Sequence, residues 1–288
     1  MTPSFLKNNT KGILFFDVDG TLVDSAQGKV TPDDDVKDAL HTIQNDGWYT
    51  MILSGRTMSG LSNVMDLNMD GYVFSDGGGI LLEGKEMILH AIPSRTIHSL
   101  IHDVTEIYHG SIMLSSAYES YGSIGQLAMM KEIAIEKHGV REEDVHAWLE
   151  ANHFHPLSSW HKEDIIEIDV CFDTPEHMHE WEKYKSGEID FVETNTSFGK
   201  EGIAAGEITL RGINKGTGIE ECASLLNVDI GDTWTFGDSM NDLSAFKTAG
   251  HSIAMGNGDE KIREAADYVT DAIDRKGLLK AFHHFEII

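Results

Sequence analysis

The sequence predicts an α/β protein in which a parallel-sheet core is interrupted by a long α+β insert. Short apolar runs alternate with segments of helical period, and several runs end in Asp, Gly or Ser, as parallel strands do when their carboxyl ends carry chemistry. The texture then changes between about residues 86 and 209 and reverts afterwards. At 288 residues, with 41% hydrophobic and 24% charged, the chain has a globular balance and length enough for one large domain or two modest ones.

The elements follow in order. Ile13 to Phe16 reads as a buried strand that delivers Asp17. Thr31-Pro32-Asp33 opens a helix with Val36, Leu40 and Ile43 on one face, closed by Gly47, and Thr50 to Leu53 completes a strand-helix-strand unit. Tyr72 to Ser75 is a third strand. The middle mixes helical stretches, Ser94 to Tyr108 and Ser123 to Lys137, with strands at Ile165 to Phe172 and Asp190 to Glu193. Gly199 to Gly206 holds three glycines and reads as a loop before the return. Past residue 210 come a helix from Lys215 to Leu226, a strand from Thr233 to Phe236, a helix from Met240 to Ala249 and a strand from His251 to Met255. The expected division is a discontinuous core, 1–89 and 210–288, with an inserted domain at 90–209.

The formal net charge of −26 argues against nucleic acid as partner, because affinity for phosphate backbones needs clustered Lys and Arg. An anion site in such a chain must be made locally positive by a metal or by a few placed cations. Two cysteines, Cys171 and Cys222, give neither a disulfide framework nor a metal spacing, which suits a reducing cytoplasm. The fifteen histidines, His153, His155 and His161 among them, fit no standard zinc pattern and read as polar surface residues. The first apolar run is too short for a signal core or a membrane span, so neither export nor anchoring is expected.

Chemistry concentrates at strand ends. Phe15-Phe16-Asp17-Val18-Asp19-Gly20-Thr21-Leu22 places two carboxylates two residues apart at a Gly-Thr turn. Carboxylates so close repel, and a divalent cation with oxygen ligands relieves them. An EF-hand is excluded, since it would need Gly at Leu22 and Glu at Gly28. Thr235-Phe236-Gly237-Asp238-Ser239-Met240-Asn241-Asp242 repeats the theme and offers a further Mg²⁺ ligand. Ser54-Gly55-Arg56 ends the second strand, and Lys215-Gly216-Thr217 opens a helix; both offer phosphate donors. A Walker loop is excluded, because Lys215 precedes its Gly.

These four motifs, in this order and over nearly the whole chain, resemble the haloacid dehalogenase superfamily, and the long insert resembles its Cof-type subfamily. The resemblance implies a Rossmann-like parallel-sheet core with an inserted α+β cap that selects the substrate. It implies Asp17 as nucleophile and metal ligand, and Asp19 as acid/base that also ligates metal through its carbonyl. Asp238 would complete the metal site, supported by Asp242, while Ser54, Lys215 and Asn241 would hold the phosphoryl oxygens, with Lys215 also acting in catalysis; Gly20 and Gly55 would border them, and Arg56 either contacts substrate or pairs with one of the many acids. The chain departs from the subfamily twice: Asp76-Gly77-Gly78 stands where Asn-Gly-Ala is usual, and Ser239 where Asn commonly follows the metal-binding Asp.

The implied activity is that of a Mg²⁺-dependent phosphatase acting on a small phosphorylated metabolite, a sugar phosphate before others, through an aspartyl-phosphate. Asp19 would protonate the leaving oxygen and later take a proton from water, its affinity for protons raised by a neighbouring carboxylate. The alternatives are a phosphomutase with the same nucleophile and a non-catalytic sensor of a phosphorylated ligand.

Overall fold

A computed structural model of the chain describes residues 7, 10–185, 187–194 and 204–288. The chain first lays down β1 (Gly12–Phe16), α1 (Asp34–Asn45), β2 (Trp48–Leu53), β3 (Gly71–Phe74), β4 (Gly79–Leu82) and β5 (Lys85–Leu89). It continues through α2 (Ser94–His102), β6 (Ser111–Ser115), β7 (Ser120–Gly122), α3 (Ile124–Glu136), α4 (Val145–Ala151), β8 (Phe154–Pro156), β9 (Glu167–Phe172), α5 (Pro175–Tyr184), β10 (Ile189–Thr194) and β11 (Ala204–Leu210). It closes with α6 (Lys215–Leu226), β12 (Thr233–Gly237), α7 (Leu243–Thr248), β13 (His251–Ala254), α8 (Glu260–Ala265), β14 (Tyr268–Val269) and α9 (Gly277–His284).

Two compact units result: Met1–Arg56, Leu61–Ile88 and Ile213–Ile288 form the first, and Thr57–Gly60 with Leu89–Gly212 form the second. The short excursion at 57–60 has a backbone cause, since the Met58 amide donates to the Ala117 carbonyl at 3.0 Å.

The first unit is built on a sheet of order β14-β13-β12-β1-β2-β3-β4-β5, parallel from β14 to β3, with β4 antiparallel to β3. The parallel sheet expected from the sequence is therefore present. Its central strands are buried along their whole length, which is why they read as unbroken apolar runs rather than alternating ones. Ile13 and Phe15 join Tyr49, Met51 and Leu53 in one core cluster. Phe16 stacks on Phe236 at 5.0 Å between ring centroids, and both rings meet Phe282 of α9 edge-on. The strand order turns at β1: β2 lies on one side of it and β12 on the other. A crevice opens at such a switch point, beyond the carboxyl ends of the strands. Asp17 and Asp238 are the residues that follow β1 and β12 there.

The second unit holds a sheet of order β10-β11-β9-β6-β7-β8, antiparallel except for β7 with β8. One core cluster gathers Ile97, Leu100, Val104, Ile112, Ile168, Phe172, Met178 and Trp181. Of the loop read at 199–206, residues 199–203 lie outside the described residues. Gly206 itself is in β11, and a Cβ there would fall 2.1 Å from the Phe191 ring, so this glycine serves strand packing instead of a turn. The helix read from Met240 to Ala249 is in fact a 3₁₀ turn, Met240–Asp242, followed by α7. The helix read from Ser94 to Tyr108 is α2 followed by a π-helical turn at Asp103–Ile107. Among the described residues no helix is long and apolar enough to cross a membrane.

Candidate active site

Lys215 organises the site. It is the first residue of α6, has no exposed surface, and donates from Nζ to Asp17 Oδ1 at 2.7 Å and to Asp242 Oδ1 at 2.6 Å. Asp17 and Asp242 are 6% and 1% exposed, so one ammonium and two carboxylates share a nearly dry pocket. Removing the lysine alone would leave two buried carboxylates with no counter-charge between them. Carboxylate oxygens of Asp17, Asp238 and Asp242 lie within 4.8 Å of one another.

Local structure explains each placement. The Asp17 amide donates to the Phe236 carbonyl at 3.0 Å, which continues the β1–β12 ladder one residue past the strand and fixes where the carboxylate leaves it. Asp242 Oδ2 accepts the amides of Asp238 at 2.9 Å and Ser239 at 3.0 Å, so this side chain ties the turn after β12 to itself. Gly237 is required beside it, since a Cβ there would meet the Asp242 carboxylate at 2.5 Å. Gly20 adopts φ +86°, and a Cβ on it would sit 2.1 Å from Asp238 Oδ2. The Asp19-Gly20 turn thus packs directly on the second acidic motif.

The electrostatics are those of acids outnumbering cations. Burial alone would lower the Lys215 pKa, but Asp17, Asp242 and Asp76 outweigh it and hold the ammonium charged. Asp17 is raised well above the usual carboxylate value, first by burial and then by Asp242 and Asp238, against the opposing pull of Lys215. Asp238 is pushed up to about 7, mainly by burial and then by Asp242; its hydroxyl partner, Thr21 Oγ1, is distant at 3.5 Å. Crowded, buried carboxylates that favour a proton also favour a metal cation, and the hard oxygen donors of this cluster suit Mg²⁺. Asp17 and Asp238 can turn oxygens to such an ion. Both oxygens of Asp242 already hold Lys215 and the backbone, which makes it a support for the site more than a ligand.

Asp19 is not part of this cluster. Its carboxylate is gripped by Arg56, with Nε to Oδ2 at 2.7 Å and a terminal guanidinium nitrogen to Oδ1 at 2.6 Å. The loop after β2 carries Arg56 across the Asp19 turn, while the expected carboxylate neighbour is Asp238, close enough for the Asp19 charge to act on it. Arg56 also reaches Asn63 Oδ1 at 3.0 Å.

Gly55 and Asn241 meet at Asp76, with Ser54 bonded to the Asp76 backbone. Ser54 is buried and its amide donates to Val73 at 2.9 Å, while its carbonyl accepts the Asp76 amide at 3.1 Å. The loops after β2 and β3 are therefore stitched together. A Cβ on Gly55 would lie 3.2 Å from Asp76 Oδ1 and 3.4 Å from Asn241 Nδ2, so all three border one space.

The amides that open α6 are engaged by its own cap: Gly216 and Thr217 donate to the Asn214 side chain at 2.9 and 3.2 Å, and Thr217 closes a capping box. Lys215 reaches its partners through the ammonium, as expected of a point charge.

Three contributors escaped the sequence reading. Asn214 was legible as the Asn-x-x-Thr cap that sets Lys215. Asp76 was noticed as a departure, without its place beside Gly55. Asn257, from the loop after β13, donates to the Gly20 carbonyl at 2.8 Å and accepts the Ile273 amide at 2.9 Å, a bridge that no local pattern announces.

The family model for haloacid dehalogenase-like hydrolases matches residues 14–282. The putative phosphatase YkrA of Bacillus subtilis is 24% identical over 270 residues, 93% of this chain and 95% of that protein. The 5-amino-6-(5-phospho-D-ribitylamino)uracil phosphatase YcsE of the same organism is 24% identical over 277 residues, 95% of each. Among solved structures, the subclass IIB sugar phosphatase BT4131 superposes with a TM-score of 0.73 at 24% identity, over 96% of this chain and 100% of that one, a likeness of fold.

Proposed function

Because the chain belongs to the haloacid dehalogenase-like hydrolases, we infer that it is a phosphoric monoester hydrolase that works with Mg²⁺ through a phosphorylated Asp17 on a small phosphorylated metabolite, sugar phosphates first. The observation that carries this reading is the buried Asp17–Lys215–Asp242 triad with Asp238 beside it, at the switch point of a parallel sheet.

Asp17 and Asp238 hold the metal, with the Asp19 carbonyl as a further ligand, and Asp242 fixes the turn that presents Asp238. The ion, when bound, offsets phosphate charge and the mutual repulsion of the acids. Asp17 attacks phosphorus in line, a bond forms from its carboxylate oxygen, and the ester oxygen departs with a proton from Asp19. Water then attacks the same phosphorus and Asp19 takes back a proton. The bond to Asp17 breaks, freeing inorganic phosphate and the carboxylate. Asp19 must release Arg56 to do this, which leaves the guanidinium available to the substrate. Lys215, its ammonium held charged, keeps Asp17 aimed, and its remaining proton can meet a phosphoryl oxygen together with donors from Ser54 and Asn241. Residues 90–209 act as the cap and choose the substrate.

The test is phosphate release across a panel of phosphorylated metabolites plus acetyl phosphate. EDTA should abolish activity and Mg²⁺ restore it, whereas Ca²⁺, with its looser shell, should not. Substitutions in 90–209 should change relative rates among metabolites while leaving acetyl phosphate hydrolysis nearly constant. Full activity in EDTA would refute the metal role, and parallel losses on all substrates would refute the cap's.

A further inference from the structure

Asn241 is held from two sides. Ser239 Oγ donates to its Oδ1 at 2.7 Å, and its own Nδ2 donates to Asp76 Oδ1 at 3.3 Å. An ionised carboxylate only accepts, whereas a hydroxyl can donate, so the two partners read opposite ends of the amide and agree on one orientation. Asp76 is fixed for this role by its backbone: it and Ser75 both adopt φ +48°, a conformation rare outside glycine, and its amide is bound to the Ser54 carbonyl. Ser239 is fixed by the cap it forms with Asp242 at the turn after β12. Asp76 and Ser239 are also the two positions at which the sequence leaves the motifs quoted above, and they stand at the two ends of one hydrogen-bond chain.

We propose that Asp76 and Ser239 are positioning residues that act as a pair on Asn241, turning its amide nitrogen toward the space beside Ser54 and Gly55 where the phosphoryl group is bound. The proposal rests on the phosphatase reading above. The second amide proton of Asn241 is then a phosphoryl donor, and a flipped amide would instead present an oxygen to an anion. Either partner alone still favours the productive orientation; loss of both releases it.

The experiment is a double-mutant cycle, Asp76→Gly against Ser239→Ala, run in the wild-type and in an Asn241→Ala background. Its readouts are kcat and KM for p-nitrophenyl phosphate, the Kd for inorganic phosphate with Mg²⁺, and the thermal midpoint. Gly is chosen at 76 because it removes the acceptor and tolerates positive φ. Each single change should lower kcat/KM less than about threefold, and the pair more than about thirtyfold, well beyond the product. The loss should appear in phosphate affinity as well. In the Asn241→Ala background the same changes should agree within about twofold. Loss of the Ser239 cap alone would shift the midpoint equally in both backgrounds and create no coupling. Multiplicative effects, or equal losses without Asn241, would overturn the proposal. A wild-type protein that hydrolyses no ester would instead refute the phosphatase reading, and the pairing would still be decided by the phosphate Kd in the same cycle.

Discussion

Gly20 shows how much of the site hangs on single atoms. Its φ of +86° and the 2.1 Å that a Cβ would leave to Asp238 Oδ2 mean that the Asp19 turn and the second acidic motif share one contact surface. Gly20→Ala should destabilise the first unit by about 2–4 kcal/mol, the sum of a left-handed penalty and overpacking. It should weaken Mg²⁺ binding and activity at least about tenfold by displacing Asp238. Urea unfolding and a Mg²⁺ titration check this; an unchanged midpoint with normal Mg²⁺ affinity would contradict it. The residues of the triad were legible because a buried strand that ends in acids has few structural uses. That Arg56 pairs with an acid was one reading of the sequence; that the acid is Asp19 was not legible, since it depends on how the loop after β2 crosses the turn after β1, and nothing in the spacing of 19 and 56 encodes that crossing.

At the level of elements, β1, β2, β12 and α6 could be placed within about two residues because strands buried on both faces and a capped amphipathic helix leave unambiguous patterns. The split of 240–248 into a 3₁₀ turn and α7 could not, because it follows from Asp242 capturing the amides of its own turn. β9 carries a testable cost of its kind. Asp169 points from this strand into surroundings where burial pushes its pKa up from 3.8 to about 6. Between those values the folded chain holds a proton that the unfolded chain has released, so stability falls as pH rises through that window and stays lower above it. Asp169→Asn should therefore raise stability at pH 7.5 by about 1–2 kcal/mol, with the gain vanishing below about pH 4. Urea unfolding at both pH values is the check, and a gain of equal size at both would rule out the ionisation as its source.

Across the whole molecule, a net charge of −26 opposes the phosphorylated ligand proposed for the site, and the chain meets that conflict locally. Lys215 and Arg56 are the cations brought to the acids, and Asp17 and Asp238 both have raised proton affinity. The long insert was visible as a change of texture. The role proposed for it in choosing a substrate was not, because selection by shape and scattered polar groups leaves no motif. Everything proposed for this site passes through one covalent step, the transfer of phosphoryl to Asp17. Acid quenching during turnover of a labelled phosphate ester, followed by digestion and mass spectrometry, reads that step directly. An acyl phosphate on the peptide containing Asp17, labile to hydroxylamine and absent from Asp17→Asn, is the expected result; ester hydrolysis with no phosphoenzyme, or with the label on another residue, would contradict it.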